Sequence, residues 1–558
     1  MSLRDRVDRE IRTLFPIDYD ANLLPQYLRR MFGVLGRKLR KIDSPRFSGR
    51  HDKEGYRDLI DKFSILPETV ADPIAGMEGL VSELFSGVPR WRSPKLQHNV
   101  GAPVNSLAVA MYALALDENV YAINNGLAGN ALVAEQAVAR MLANLASIEI
   151  PAAGLFTFGG TATNFYATRL GIMKAAPDSG RTGVPRNLKV IVTEDSHFSH
   201  TISAEWLGIG TDNVAVVSSD VNRRSDLRDA ELKMRRIFDD GELLGSIIVN
   251  GGTTYGQVVD DISGFVRLRD QLVDEYDLSY VPHLHVDSVI GWAWLMFKDY
   301  DWDINPLEIP NSTLAVIREQ FNRVAALKYA DSWGVDFHKG VGGCPVDSSI
   351  VMFNDATDLN YLSKKKGAVV EMHQLATDFS FDSPADFTLE TSRAGGAALS
   401  ALAALHSMGA NGYRRNLALL VDLSLYTREL LFEEQDVVVC HPESSLGYVT
   451  MLRLYPPEFI DEGRMGLELM DGEGLGDFVD RVNSYMKQFF VWDSENRMVD
   501  RESLEYSFSS GYVNIGGRNL SGIKLYPVSP LMTRRDVDET VGILMSQKRK
   551  FDAEVWNK

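Results

Sequence analysis

From about residue 100 to 355, short apolar runs alternate with stretches of helical periodicity, and this alternation limits the fold more than any other feature of the chain. Helical spacing over Ala131–Leu145 is followed by Leu155-Phe156-Thr157-Phe158. Then come Tyr166, Leu170 and Met173, spaced as on one helix face. Further strand-like runs are Val190–Val192, Ile247–Val249, His283–Val286 and Ile350–Phe353. Strands separated by helices predict an α/β fold, with a mostly parallel sheet covered on both faces. Ligands in such sheets sit at the carboxyl ends of the strands. Polar residues cluster just after these apolar runs, so the chemistry is expected there.

The flanks differ. Residues 1–95 read as a helical arm broken by turn signals at Phe15-Pro16 and Asp43-Ser44-Pro45. Residues 96–395 hold the alternating pattern of a large domain. Residues 396–558 read as a small α+β domain, with strands near Val437–Val439, Tyr448–Leu454 and Tyr512–Ile515 and a final helix from Arg535. A basic stretch from Arg37 to Lys53 is read as a solvated loop balancing an acidic body rather than as a phosphate or partner site. The 58 Lys and Arg against 76 Asp and Glu give a net charge of −18, which argues against a nucleic-acid partner. No apolar run approaches the ~18 residues of a membrane span, and Met1–Leu14 lacks the apolar centre of a signal peptide. Two cysteines, Cys344 and Cys440, form no disulfide framework and no zinc motif, which points to a reducing, cytoplasmic setting.

Four motifs end four of the runs. Phe158-Gly159-Gly160-Thr161-Ala162-Thr163-Asn164 joins a strand to a helix. Its glycines let backbone N–H groups approach an anion, and Thr161 and Thr163 offer hydroxyls; the bland alternative is a tight turn. Thr193-Glu194-Asp195-Ser196-His197-Phe198-Ser199-His200 follows Val190–Val192. His197 could stack on a planar ligand or act as an acid or base, or belong to a surface cap. His285-Val286-Asp287 closes another strand. Asp287 could pair with a cationic ring nitrogen or cap the next helix. Ala330-Asp331-Ser332-Trp333-Gly334-Val335-Asp336-Phe337-His338-Lys339 places a lysine in the same crevice. Burial there would lower its pKa and let it form a Schiff base; the alternative is a solvated lysine.

A phosphate cradle, a ring stacker, a carboxylate for a ring nitrogen and a Schiff-base lysine are together what pyridoxal 5′-phosphate requires. In this combination the chain resembles the group II pyridoxal-phosphate-dependent amino-acid decarboxylases, from about residue 100 to 545. The resemblance implies the fold-type I architecture, with a mostly parallel seven-stranded sheet, helices on both faces and a small C-terminal domain. It also implies a homodimer acting on an L-amino acid. By motif, Lys339 matches the lysine of the internal aldimine and His338 its phosphate-side neighbour. Asp287 matches the partner of the ring nitrogen, and His197 the stacked histidine. Gly160, Thr161 and Ala162 match the phosphate cradle.

Two further matches concern the reaction. Tyr361 stands near the position of the loop tyrosine that returns a proton after carbon dioxide leaves, which favours decarboxylation to the amine over aldehyde synthesis or carbon–carbon lysis. Lys364-Lys365-Lys366 beside it is read as a solvated loop. Arg393 matches a position that binds a carboxylate or holds an interface. Lys524 stands where relatives often carry Arg, and a lysine loses the bidentate fork. Phe337 replaces the proline usual before His-Lys, and Ser288 the alanine usual after the Asp.

Overall fold

The computed structural model describes residues 14, 21–39, 45–47, 55–68, 72–98, 101–363, 383–470, 475–496 and 504–557. Lys364–Lys366 and most of the basic stretch between Arg37 and Lys53 lie outside these. Two compact units emerge, one of residues 1–96 with 493–505, the other of 97–492 with 506–558. The first contains the helices Leu23–Leu39, Tyr56–Phe63 and Pro73–Leu84. The last begins on Pro73, with the Asp72 carboxylate accepting from the N–H groups of Ile74 and Ala75.

The second unit is built on a seven-stranded sheet among the described residues. In chain order its strands are β1 (Ala153–Thr157), β2 (Leu188–Thr193), β3 (Val214–Val217), β4 (Leu243–Asn250), β5 (His283–Asp287), β6 (Ser332–Asp336) and β7 (Ser349–Phe353). Across the sheet they lie in the order β1-β7-β6-β5-β4-β2-β3. All pairings from β6 to β3 are parallel, whereas β7 runs antiparallel to both neighbours. The expected α/β fold with a mostly parallel seven-stranded sheet is what the chain adopts. Strands β1, β5, β6 and β7 are buried along their whole length, because helices cover both faces.

One close approach fixes the helix that matters most. Helix Gly160–Ala175 crosses β4 at Gly171, where a Cβ would stand 2.0 Å from Ser246 Oγ and 2.6 Å from the Gly245 carbonyl. Only a residue without a side chain permits that contact. The helix is thereby pressed onto the sheet with its N-terminus at the carboxyl edge of the strands.

The same unit carries a second, antiparallel sheet. Its strands β8 (Val437–Val439), β9 (Thr450–Leu454), β10 (Glu505–Ile515) and β11 (Arg518–Leu525) run in the spatial order β10-β11-β9-β8. Helix Gly396–Phe432 leads into this sheet, so the expected boundary at 395/396 falls at a helix start inside the unit. The helix breaks at Gly409, whose φ of 58° lies in the left-handed region. Among the described residues no helix is long and apolar enough to cross a membrane.

Candidate active site

The strand directions bring the four motifs to one edge of the large sheet. β1 ends at Thr157, and Gly159, at φ 128°, turns the chain into helix Gly160–Ala175. No side chain caps this helix, which leaves its first turn to meet an anion. The Ala162 N–H already donates to the Gly159 carbonyl at 2.9 Å. Of the expected cradle, Gly160 and Thr161 therefore form the open part. Thr163 is buried and its hydroxyl donates to the Gly160 carbonyl at 2.7 Å, so it is not the ligand donor expected from sequence.

Asp287 is the last residue of β5 and is buried. Its Oδ2 lies 2.8 Å from His200 Nε2 and accepts from Asn164 Nδ2 at 3.1 Å. Its Oδ1 is also buried and has no hydrogen-bond partner among the described residues. Burial pushes the carboxyl pKa up, but the His200 hydrogen bond and the nearby Lys339 charge more than reverse this. Asp287 is held well below the usual carboxylate range, and so as an anion.

His197 lies between β2 and helix Ser199–Trp206. Its Nδ1 accepts from the Ser199 backbone N–H at 3.2 Å and lies 2.7 Å from Ser199 Oγ, which accepts from Asn164 Nδ2 at 3.1 Å. This leaves the proton on Nε2. Burial lowers the imidazole pKa, only partly offset by Asp287, so His197 is neutral at pH 7. Asn164 thus joins His197, through Ser199, to the Asp287 carboxylate, a link the motifs alone do not show.

Lys339 follows β6 by three residues, and its Nζ lies 2.8 Å from Asp336 Oδ2. The sequence reading expected its pKa to fall. Burial does pull it down, but Asp336 outweighs burial and the net direction is up. Asp336 is fully buried, and its Oδ1 accepts from Ser349 Oγ at 2.6 Å. His338 shares the same carboxylate, with Nε2 at 3.6 Å. A Cβ on Gly160 would stand 2.6 Å from Asp336 Oδ2, so the helix start and the lysine segment are in direct contact. Phe337 has a reason to replace proline, since its backbone N–H donates to the Ser348 carbonyl at 2.8 Å and its ring packs 4.9 Å from Trp292. Lys524, on β11, is buried with Nζ on the Thr254 carbonyl and 4.8 Å from the Tyr526 ring centre. Burial, then the Lys339 charge, lower its pKa well below the ordinary lysine value.

Two expected residues lie elsewhere. β7 pairs Ser349 with Asp336 but Phe353 with Ser332, so it carries the chain back to the opposite edge of the sheet. Tyr361 follows on the short helix Ala356–Leu362, its ring 6.0 Å from Lys174 Nζ. Lys174 is fourteen residues along the helix from Gly160, a rise of about 21 Å. The structure does not bring Tyr361 to Lys339 of its own chain. Arg393 is buried, and its guanidinium is taken up by Glu135 at 2.5 and 3.1 Å and by the carbonyls of Ala122 at 3.1 Å and Phe156 at 2.9 Å. The carboxylate it meets in this chain is that of Glu135. Among the described residues no group of three or more His, Cys, Asp or Glu is placed to hold a metal ion.

The fold recurs in known proteins. The Oryza sativa protein TDC, solved with PLP and tryptamine, superposes with a TM-score of 0.74 over 96% of this chain and 99% of its own, at 14% identity. The L-2,4-diaminobutyrate decarboxylase of Rhizobium meliloti is 26% identical over 325 residues, 56% of each chain. The chain is similar in sequence to amino-acid decarboxylases. A second relative, the L-tyrosine decarboxylase of Enterococcus faecalis, is 29% identical over 239 residues, 40% of this chain and 37% of that one. The matched stretch therefore spans about half or less of the length of these two relatives. No family model matches the sequence.

Proposed function

We propose that this protein decarboxylates an L-amino acid to the corresponding amine, with pyridoxal 5′-phosphate as its cofactor. One observation carries the reading: Lys339, Asp287, His197 and the uncapped helix start at Gly160 converge on one sheet edge, and Asp287 Oδ1 is buried there with no hydrogen-bond partner among the described residues. The residues fit the cofactor. A protonated ring nitrogen would satisfy that oxygen, and a phosphate would suit the Gly160–Thr161 turn. When bound, the cofactor supplies the electron sink into which the bond to the departing carboxylate breaks.

The chain's own groups do the rest. Lys339 is the amine that would hold the cofactor covalently and exchange it for the substrate amine. Asp336 takes charge of the lysine proton before that exchange. Asp287 would keep the ring nitrogen of a bound cofactor protonated, and His197 would lie over a ring face as a neutral imidazole. His338 holds its place through Asp336 beside the phosphate end. Ala162 contributes by shaping the cradle turn. Arg393 ties the Phe156 end of β1 to Glu135 rather than reaching the substrate.

Within one chain, Lys339 or His197 would return the proton to the α-carbon. Tyr361 would serve a site only in another subunit, so its role and the homodimer stand or fall together. Two buried, unpaired cysteines accord with a cytoplasmic enzyme. The large cofactor domain of 96–395, the small domain of 396–558 and the arm of 1–95 remain our working division.

The test is to load the protein with pyridoxal phosphate, reduce with borohydride and map the labelled peptide. Label on Lys339 is expected. A carbon-dioxide-release screen, starting with diaminobutyrate and tyrosine, then identifies the substrate. Label elsewhere or none would refute the cofactor assignment, and aldehyde instead of amine would refute the reaction.

A further inference from the structure

Asp287 is not held by the sheet alone. His200 lies on helix Ser199–Trp206 with its side chain completely buried, and its Nε2 is 2.8 Å from Asp287 Oδ2. The carboxylate can only accept here, so Nε2 carries the hydrogen. The other ring nitrogen, Nδ1, is buried and meets no hydrogen-bond partner among the described residues. The imidazole is therefore fixed in one orientation, with Nε2–H donating to Asp287 Oδ2.

The charged and titratable surroundings favour the Asp287 anion. His285, on the same strand as Asp287, is driven neutral by burial, its pKa lowered to about 3. His197 is neutral for the same reason. Lys339 is the cation facing the pair, and it favours the carboxylate anion. Asn164 supplies the second donor to Oδ2. With both donors on Oδ2, the carboxylate is turned so that Oδ1 is left open.

We propose that His200 is a positioning residue that, through one hydrogen bond to Oδ2, keeps Asp287 anionic and aims Oδ1 at the ring nitrogen of the cofactor. The inference rests on the pyridoxal-phosphate reading of the site.

The experiment measures binding by the full chain freed of cofactor. It uses fluorescence titration with pyridoxal phosphate and with its analogue in which C–H replaces the ring nitrogen. His200→Leu removes the donor. His200→Gln keeps one, since its Nε2 can stand near the imidazole Nε2. A hydrogen bond to a charged group carries about a tenfold effect or more. His200→Leu should weaken pyridoxal phosphate about tenfold and the analogue by less than about twofold, while His200→Gln should recover most of the loss. In an Asp287→Asn background His200→Leu should add no further loss. Equal loss for both ligands, as a misfolded variant would show, overturns the proposal, as does unchanged binding of pyridoxal phosphate. Wild-type protein that fails to bind pyridoxal phosphate removes the cofactor reading and this inference together; wild-type binding with an indifferent His200→Leu removes this inference alone.

Discussion

Replacing Asp336 with Asn should turn Lys339 from a held ammonium into a more readily freed amine. The two side chains meet at 2.8 Å, with Asp336 fully buried and Lys339 about one-fifth exposed. At that distance and an effective dielectric near 20, the attraction is about 6 kcal/mol, equivalent to roughly four pKa units. Bringing both charges out of water offsets part of this, so a drop of about one to three units is expected. The sign follows from the opposing causes. Burial lowers the Lys339 pKa and Asp336 raises it; with Asp336 neutral, burial prevails and the amine falls below its present value. The rate of Lys339 modification by an amine-reactive reagent, followed by peptide mapping across pH in cofactor-free protein, reads this directly. The inflection should move to lower pH by about one to three units. An inflection that stays put or moves up would show that Asp336 does not control the lysine, and the proton-holding role would be wrong.

Three other perturbations follow from the packing. Arg393→Met should destabilise the fold by about 3–5 kcal/mol in denaturant unfolding, because it strands the buried Glu135 charge; the double change with Glu135→Met should recover much of that loss, and no recovery would mean the pair is not the cause. Gly171→Ala should cost about 1–3 kcal/mol and weaken cofactor binding, since its Cβ would push helix Gly160–Ala175 off Ser246 and Gly245; full stability by thermal melting would refute the close approach. Tyr361→Phe should leave borohydride labelling of Lys339 intact, since Tyr361 is remote from Lys339 in its own chain, but should shift products from amine toward aldehyde if a partner subunit uses it; an unchanged product ratio would remove Tyr361 from the mechanism.

The strands were legible because burial on both faces requires nearly unbroken apolar runs, and Val190–Val192, Ile247–Val249 and Ile350–Phe353 fall inside observed strands. The motif residues were legible because each ends a strand, and parallel strands bring such ends together. What stayed hidden were partners from elements that only packing brings near. Asn164 stood inside a quoted motif, yet its contact with Asp287 spans 123 positions in sequence. His200 lies three residues after His197, on a helix face whose orientation the local pattern did not reveal. Asp336 precedes Lys339 by three residues, and its effect on the lysine pKa depends on burial that the sequence does not show.

Tyr361 teaches a different lesson, because the signal against its expected place was present in the sequence. A strand parallel to its neighbour needs a crossover of about a dozen residues or more, usually with a helix. Residues 337–348, which join β6 to β7, contain Gly340, Gly342, Gly343 and Pro345 and include no helix. Such a connection allows the chain to turn back beside β6, and it does so, with Asp336 opposite Ser349 and Ser332 opposite Phe353. Once the direction of β7 is fixed, whatever follows Phe353 must begin at the edge of the sheet far from Lys339. Any chemistry assigned to Tyr361 therefore requires a second chain, and measuring whether Tyr361→Phe in one subunit of a mixed dimer is complemented by Lys339→Ala in the other decides it. Amine production restored in that mixed dimer would place the tyrosine across the interface; aldehyde as in the Tyr361→Phe homodimer, with each variant folded, would refute that placement.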